Sequence, residues 1–217
     1  MDNNEVMVQE QAKDIVSVPQ NELAPKSVWT DQAQFNQLAR AAKMLSGTNI
    51  IPQNYQGKPQ DCFVAIEMAT RMNVSPLVVM QNMYVVKGKP SWAGQACTML
   101  INSCGKFKDV KHIYTGKKGT DERGCYVSAV RVSDGVELCG VEVTMNMAKS
   151  EGWTSNPKWR NMPELMLAYR ASAFFARVYC PEALMGVQTF EEIIDTDCSN
   201  EKRSEANELT DMLKGEK

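Results

Sequence analysis

From residue 31 onward the chain alternates between stretches whose apolar positions recur every three or four residues and stretches where they recur every two. Phe35, Leu38, Ala41, Ala42 and Leu45 follow helical spacing, with Thr30 or Asp31 standing where an N-cap belongs, and so predict a helix over 31–45. A loop with Gly47, Pro52 and Gly57 ends it. A second helix is expected over 60–72, burying Phe63, Ile66, Met68 and Ala69 and stopping at Asn73 before Ser75-Pro76, and a shorter one over 76–82. YVVKGKPSW then reads as two short β segments about a Lys87-Gly88-Lys89 turn, with Pro90 marking an edge. Ser91 stands as the cap of a helix over 92–103 that Gly105 closes.

Three runs of period two follow: FKDVKHIYT, GCYVSAVRV and GVELCGVEVT. The SDG at 133–135 is a hairpin turn between the last two, so the runs form an antiparallel meander. Gly140 breaks the alternation, because Val136 and Leu138 share one parity and Val141 and Val143 the other, which predicts a bulge. Between the first two strands lies TGKKGTDERG, a glycine-rich basic loop. It lacks the GxxxxGK[ST] spacing and no helix signal follows it, so it is read as a mobile basic finger and not a P-loop. The fold class is therefore α+β: a β-meander and a β-hairpin packed with helices.

The segment NPKWRNMPELMLAYRASAFFARVYC, residues 156–180, predicts the longest helix, with Asn161 and Glu164 forming a capping-box variant around Pro163 and Cys180-Pro181 ending it. Leu167, Ala171, Phe174 and Val178 make one apolar stripe, and Leu165, Ala168, Phe175 and Tyr179 another. The remaining face carries Met166, Arg170, Ala173 and Arg177. Two arginines seven apart lie about two turns apart on one face, set among small residues. A guanidinium can hold phosphate oxygens through two parallel hydrogen bonds, so this face suits a phosphate chain; the competing reading pairs both arginines with acids of the same fold. Trp153, Lys158, Trp159 and Arg160 add cations and stacking surfaces at the start of the helix, the combination that holds single strands without reading bases.

Charge sharpens this picture. The net charge is −2, yet residues 1–83 carry 6 Lys+Arg against 8 Asp+Glu, residues 84–180 carry 14 against 8, and residues 181–217 carry 4 against 10. A basic middle followed by an acidic end is the footprint of a domain that meets polyanions and a tail kept off them. Residues 1–28 read as a flexible polar arm, 29–194 as the functional domain and 195–217 as an acidic tail. Seven cysteines without a CxxC pair indicate neither a zinc site nor a disulfide framework and are expected to act as small buried hydrophobes. The only histidine, His112, falls in a strand, leaving little material for Ser-His-Asp or His-metal chemistry. No apolar run is long enough for a membrane span and the N-terminus has no signal-peptide core, so a cytosolic protein is expected.

The succession VVMQNMYVVKGKPSWAGQACTMLINSCGKF, the basic meander and WRNMPELMLAYRASAFFARVYCPEALMG resembles the RecT family of phage-type recombinases, the single-strand annealing proteins, over residues 50–190. The resemblance implies a fold distantly related to lambda Red beta, with a β-meander and helices around a positively charged groove. It also implies a non-enzymatic protein, without ATP, cofactor or metal. Such a protein coats single-stranded DNA as a homo-oligomeric ring or helical filament, pairs it into annealed duplex, and works beside a phage exonuclease and a host single-strand-binding protein. By position, Arg170 and Arg177 would line the groove floor, with Lys87, Lys89, Lys117, Lys118 and Arg123 as basic fingers around it. The C-terminus is shorter and more acidic than the family pattern, which bears on how partners dock.

Two other readings compete. A metal-dependent nuclease would use Asp121, Glu122, Glu137 and Glu142, which lie in or near strands without a paired DxE or an accompanying histidine. A passive single-strand-binding protein would share the whole charge pattern and differ only in failing to promote pairing.

Overall fold

The computed structural model describes residues 28–86, 88–200 and 204; the expectations for the N-terminal arm, for Lys87 and for the end of the tail lie outside these residues. The chain divides between Gln37 and Leu38. In the first unit the backbone N–H groups of Ala33 and Gln34 donate to Asp31 Oδ1 at 2.9 and 3.2 Å, so Asp31 is the expected N-cap, and the Trp29 and Phe35 rings lie 6.4 Å apart. Helix α1 (Gln32–Ser46) crosses the division.

The larger unit continues with α2 (Pro59–Met72) and α3 (Pro76–Asn82). Asn73 ends α2 as anticipated: at φ 53° it turns left-handed, and its N–H reaches the carbonyls of Ala69 and Thr70. Strands β1 (Met83–Val86) and β2 (Lys89–Trp92) form the hairpin, in the register Tyr84 to Ser91. Here the expected boundary shifts. Ser91 does not cap a helix; its hydroxyl donates to the Tyr84 carbonyl at 3.1 Å across the hairpin. Trp92 ends β2, fully buried, with its indole N–H donating to Leu184 O at 3.1 Å, and helix α4 begins only at Gly94 (Gly94–Ser103).

The meander is β3 (Phe107–Thr115), β4 (Gly124–Arg131), β5 (Glu137–Cys139) and β6 (Val143–Thr144), all antiparallel, with β5 and β6 both paired to β4. The register slips by one residue between Ser128–Cys139 and Cys125–Val143, and Gly140 sits in that slip with its N–H on Val127 O at 2.8 Å. A Cβ there would stand 3.1 Å from the Phe175 ring, so glycine also permits the close approach of the core. The SDG turn forms as expected, with Gly135 at φ 72° and Arg131 held on Asp134.

After α5 (Met145–Ser150) and a single 3-10 turn (Trp153–Ser155) come α6 (Lys158–Asn161), α7 (Pro163–Tyr179) and α8 (Pro181–Leu184). No side chain caps α7; Glu164 is drawn instead to the β3–β4 loop. β7 (Gln188–Thr189) then pairs in parallel with β2, a third strand that period-two reading did not supply. Residues 190–200 are helical, and a domain boundary at 194/195 falls inside this helix. Among the described residues no single helix is long and apolar enough to cross a membrane.

The core lies where α7 packs on β4 and α4 and is buried almost all round. The expected faces of α7 are partly exchanged: Leu165 and Val178, one from each core stripe, are 42% and 60% exposed, while Met166, Arg170 and Ala173 are buried.

Candidate nucleic-acid interface

Arg170 and Arg177 explain that exchange. The Arg170 guanidinium is 7% exposed and lies between Asp195, to which it donates, and Glu192 at 3.5 Å, with its Cζ 4.1 Å from the Trp153 ring centroid. Arg177 spans both carboxylate oxygens of Glu192 in a fork. Glu192 also closes a capping box with Thr189: Thr189 N donates to Glu192 Oε2 at 2.9 Å and Glu192 N to Thr189 Oγ1 at 3.2 Å. Burial alone would raise the Glu192 pKa; the Arg177 hydrogen bonds and charge outweigh it and hold the carboxyl below its usual range. In place of the expected arginine-lined groove floor, Arg170 is buried in an ion-pair layer with Glu192 and Asp195, and Arg177, half-exposed, is paired with Glu192 at its edge.

The tryptophans join the same layer. Trp159 is fully buried and donates from Nε1 to Asp195 Oδ2 at 3.0 Å, while Asn156 Nδ2 donates to Asp195 Oδ1 at 2.9 Å. Trp153 packs 5.5 Å from Trp159 and 6.4 Å from Phe174. Neither presents the open stacking face expected at this position. Three of the acids counted in the C-terminal stretch, Glu182, Glu192 and Asp195, neutralise basic residues of the fold.

The remaining described candidates lie at or near the surface. In the β3–β4 loop, Arg123 is tied down: it donates to the Thr115 and Gly116 carbonyls at 3.3 and 3.2 Å and to Glu164 at 2.6 Å, with its guanidinium over the Tyr114 ring. Lys118 reaches Glu164 at 3.2 Å from an exposed position, and these two cations hold the Glu164 carboxyl below its usual range. The loop is therefore pinned to the N-terminal end of α7. Gly116, at φ 62° with Glu122 O only 2.1 Å from where a Cβ would sit, makes the tight return possible. Lys89, Lys117, Lys158 and Arg160 are exposed and make no ion pair among the described residues.

The N-terminal end of α7 also borders an open groove of about 540 Å³ between α4, α6 and the hairpin. Tyr84, Tyr169 and Phe190 line it, with Lys158 on its rim. These aromatic residues escaped the sequence reading; the T-x-x-E box at 189–192 was the local signal that a further helix, carrying Phe190, began there.

The other chemistry is dispersed. Asp121 bonds Lys149 at 2.5 Å, Glu137 accepts from Ser128 at 2.5 Å and Glu142 accepts from Thr115, so three of the four carboxylates weighed for a nuclease are engaged separately. Among the described residues no three His, Cys, Asp or Glu side chains converge as metal ligands. His112 is half-buried, Nε2 2.7 Å from Ser172 Oγ, which lies 3.0 Å from Thr98 Oγ1; burial lowers its pKa. Cys62, Cys97, Cys125 and Cys180 are buried as expected, but Cys139 is exposed.

An α+β fold with exposed cations and a buried Arg170–Asp195–Glu192 cluster defines the architecture. Residues 41–207 match the RecT family, and the chain belongs to it. Comparison with curated proteins and with solved structures returns no match. The family is one of single-strand annealing and recombination proteins, which work on DNA without being catalysts in general.

Proposed function

We propose that this protein binds single-stranded DNA through its phosphates and anneals complementary strands without ATP, in a Red beta/RecT-like fold and as a homo-oligomer along the strand. Family membership carries this reading. The exposed cations Lys89, Lys117, Lys158 and Arg160, which make no ion pair among the described residues, support it, because binding through the backbone neutralises phosphates and leaves base edges free to pair. Arg170 and Arg177 serve the scaffold in this reading, since their donors already face carboxylates. Arg123 and Lys118 shape the loop that presents Lys117.

The deciding experiment mixes two complementary dye-labelled strands with and without the protein, in the absence of nucleotide, and follows energy transfer. Faster pairing with intact strands is expected. Protection without acceleration would mean a passive binder, and strand shortening in magnesium would mean a nuclease; either result rejects the annealing reading.

A further inference from the structure

We infer that the groove between the hairpin and the N-terminal end of α7 is a base-stacking site, in which an unpaired nucleobase lies on Tyr84 while its neighbouring phosphate meets Lys158. This deepens the strand-binding reading above and rests on it.

Several observations converge on the occupant. The groove, about 540 Å³, falls in the size range of sites that take a molecule of nucleotide dimensions. Its apolar wall is open to solvent: Tyr84 is 46% exposed and Leu165 and Met162 each 42% exposed, a patch that a folded chain would otherwise cover. The hairpin fixes the Tyr84 backbone and Phe190 flanks its ring. The Tyr84 carbonyl accepts from Ser91 across the hairpin, and the Tyr84 ring lies 6.0 Å from Phe190 at an interplanar angle of 57°. Two stacking distances of about 3.4 Å exceed that separation, so a base stacks on the outward ring face and is not sandwiched.

Charge fixes which part of the strand enters. Lys158 Nζ stands 5.4 Å from the Phe190 ring centroid, at the rim, where a phosphate can reach it. Glu191 lines the deeper part, its carboxylate close over Gly94; one of its oxygens is buried without a hydrogen-bond partner. A carboxylate there repels phosphate and can accept only from N–H or O–H groups. The backbone is therefore kept at the rim beside Lys158, away from Glu191. Gly94 lets Tyr169 and Glu191 pack close over the start of α4, since a Cβ at that position would meet the Tyr169 ring at 2.6 Å and Glu191 Oε2 at 2.8 Å. Stacking grips a base by its face, so the pairing edge stays available to a second strand.

The test uses the full chain and two fluorescent strands of equal length, an oligo-dT and the same backbone with abasic sites. Wild type should bind oligo-dT between about fivefold and 150-fold more tightly than the abasic strand, the range for one stacked base. Tyr84→Ala, and Tyr84→Leu as a volume-keeping control for folding, should abolish that preference and leave the salt dependence unchanged. Lys158→Ala should keep the preference and reduce the log-log salt slope by about one. Equal wild-type affinity for both strands, or a preference that survives both Tyr84 changes, overturns the stacking site alone. Failure of folded wild type to bind either strand overturns strand binding itself. An apolar peptide that binds and is not displaced by oligo-dT would assign the groove to a protein partner and also overturn the inference.

Discussion

Replacing Arg170 with alanine separates the scaffold from the DNA surface. The change leaves Asp195, which is 0% exposed, buried without its counter-ion but still accepting from Trp159 and Asn156. Breaking a buried ion pair from one side costs roughly 3–5 kcal/mol, because the surviving charge is stranded in the interior. For a chain of this size each kcal/mol lowers the melting temperature by roughly 2–4 °C, so a drop on the order of 6–20 °C is expected. The lost stack of the guanidinium on Trp153 acts in the same direction. A double change, Arg170→Met with Asp195→Asn, removes both charges while keeping an amide oxygen to accept from a buried donor. It should melt closer to wild type than Arg170→Met alone, giving a favourable coupling in a double-mutant cycle. Melting temperature and single-strand affinity should be read on the same samples, below the transition. If Arg170→Ala melted like wild type yet lost strand binding, the interior assignment would be wrong and the arginine face would belong to DNA.

Other consequences are open to simpler measurements. Arg177→Ala should destabilise less than Arg170→Ala, on the order of 1–2 kcal/mol, because its side chain is 38% exposed and Glu192 keeps its Thr189 bond, as denaturant melts would show. Ending the chain at residue 187 removes Glu192 and Asp195 together and should make the remainder as protease-sensitive as unfolded chain; a protected fragment would argue against the ion-pair layer. His112 has a folded pKa below its unfolded value of about 6.5, so its contribution is fully present above that pH and declines as pH falls through the window below it; His112→Gln should flatten stability across that window. Gly116→Ala should destabilise the β3–β4 loop, since φ 62° and the Glu122 carbonyl both oppose a side chain, and faster amide exchange in Glu122 and Arg123 would report it.

What was legible in the sequence was local. The SDG turn, the Asp31 cap, the Asn73 stop and the slip at Gly140 each depend on a few neighbouring residues, and each appears where the pattern placed it. The long helix was legible as a helix, but the partner of its third face was not. An arginine beside alanines looks the same whether a phosphate or a carboxylate will meet it, and here the carboxylates lie 15 and 25 residues further on. Counting charge by segment compounded this, because acids that end up inside the fold were weighed as a solvated tail. The start of α4 was misplaced for a similar reason: Trp92 is fixed by a carbonyl 92 residues away, which no local rule reports.

The parallel pairing of β2 with β7 and the closure of Arg170 and Arg177 by acids near the C-terminus have a consequence for synthesis. A nascent chain that has reached residue 180 contains the meander, the hairpin and all of α7, but none of the acids that allow Arg170 to leave water. Until Glu192 and Asp195 emerge, docking α7 would strand the Arg170 charge against apolar surface, so the long helix is expected to dock only when the last stretch has been made. The domain is thus expected to reach its final shape only once its acidic segment has arrived.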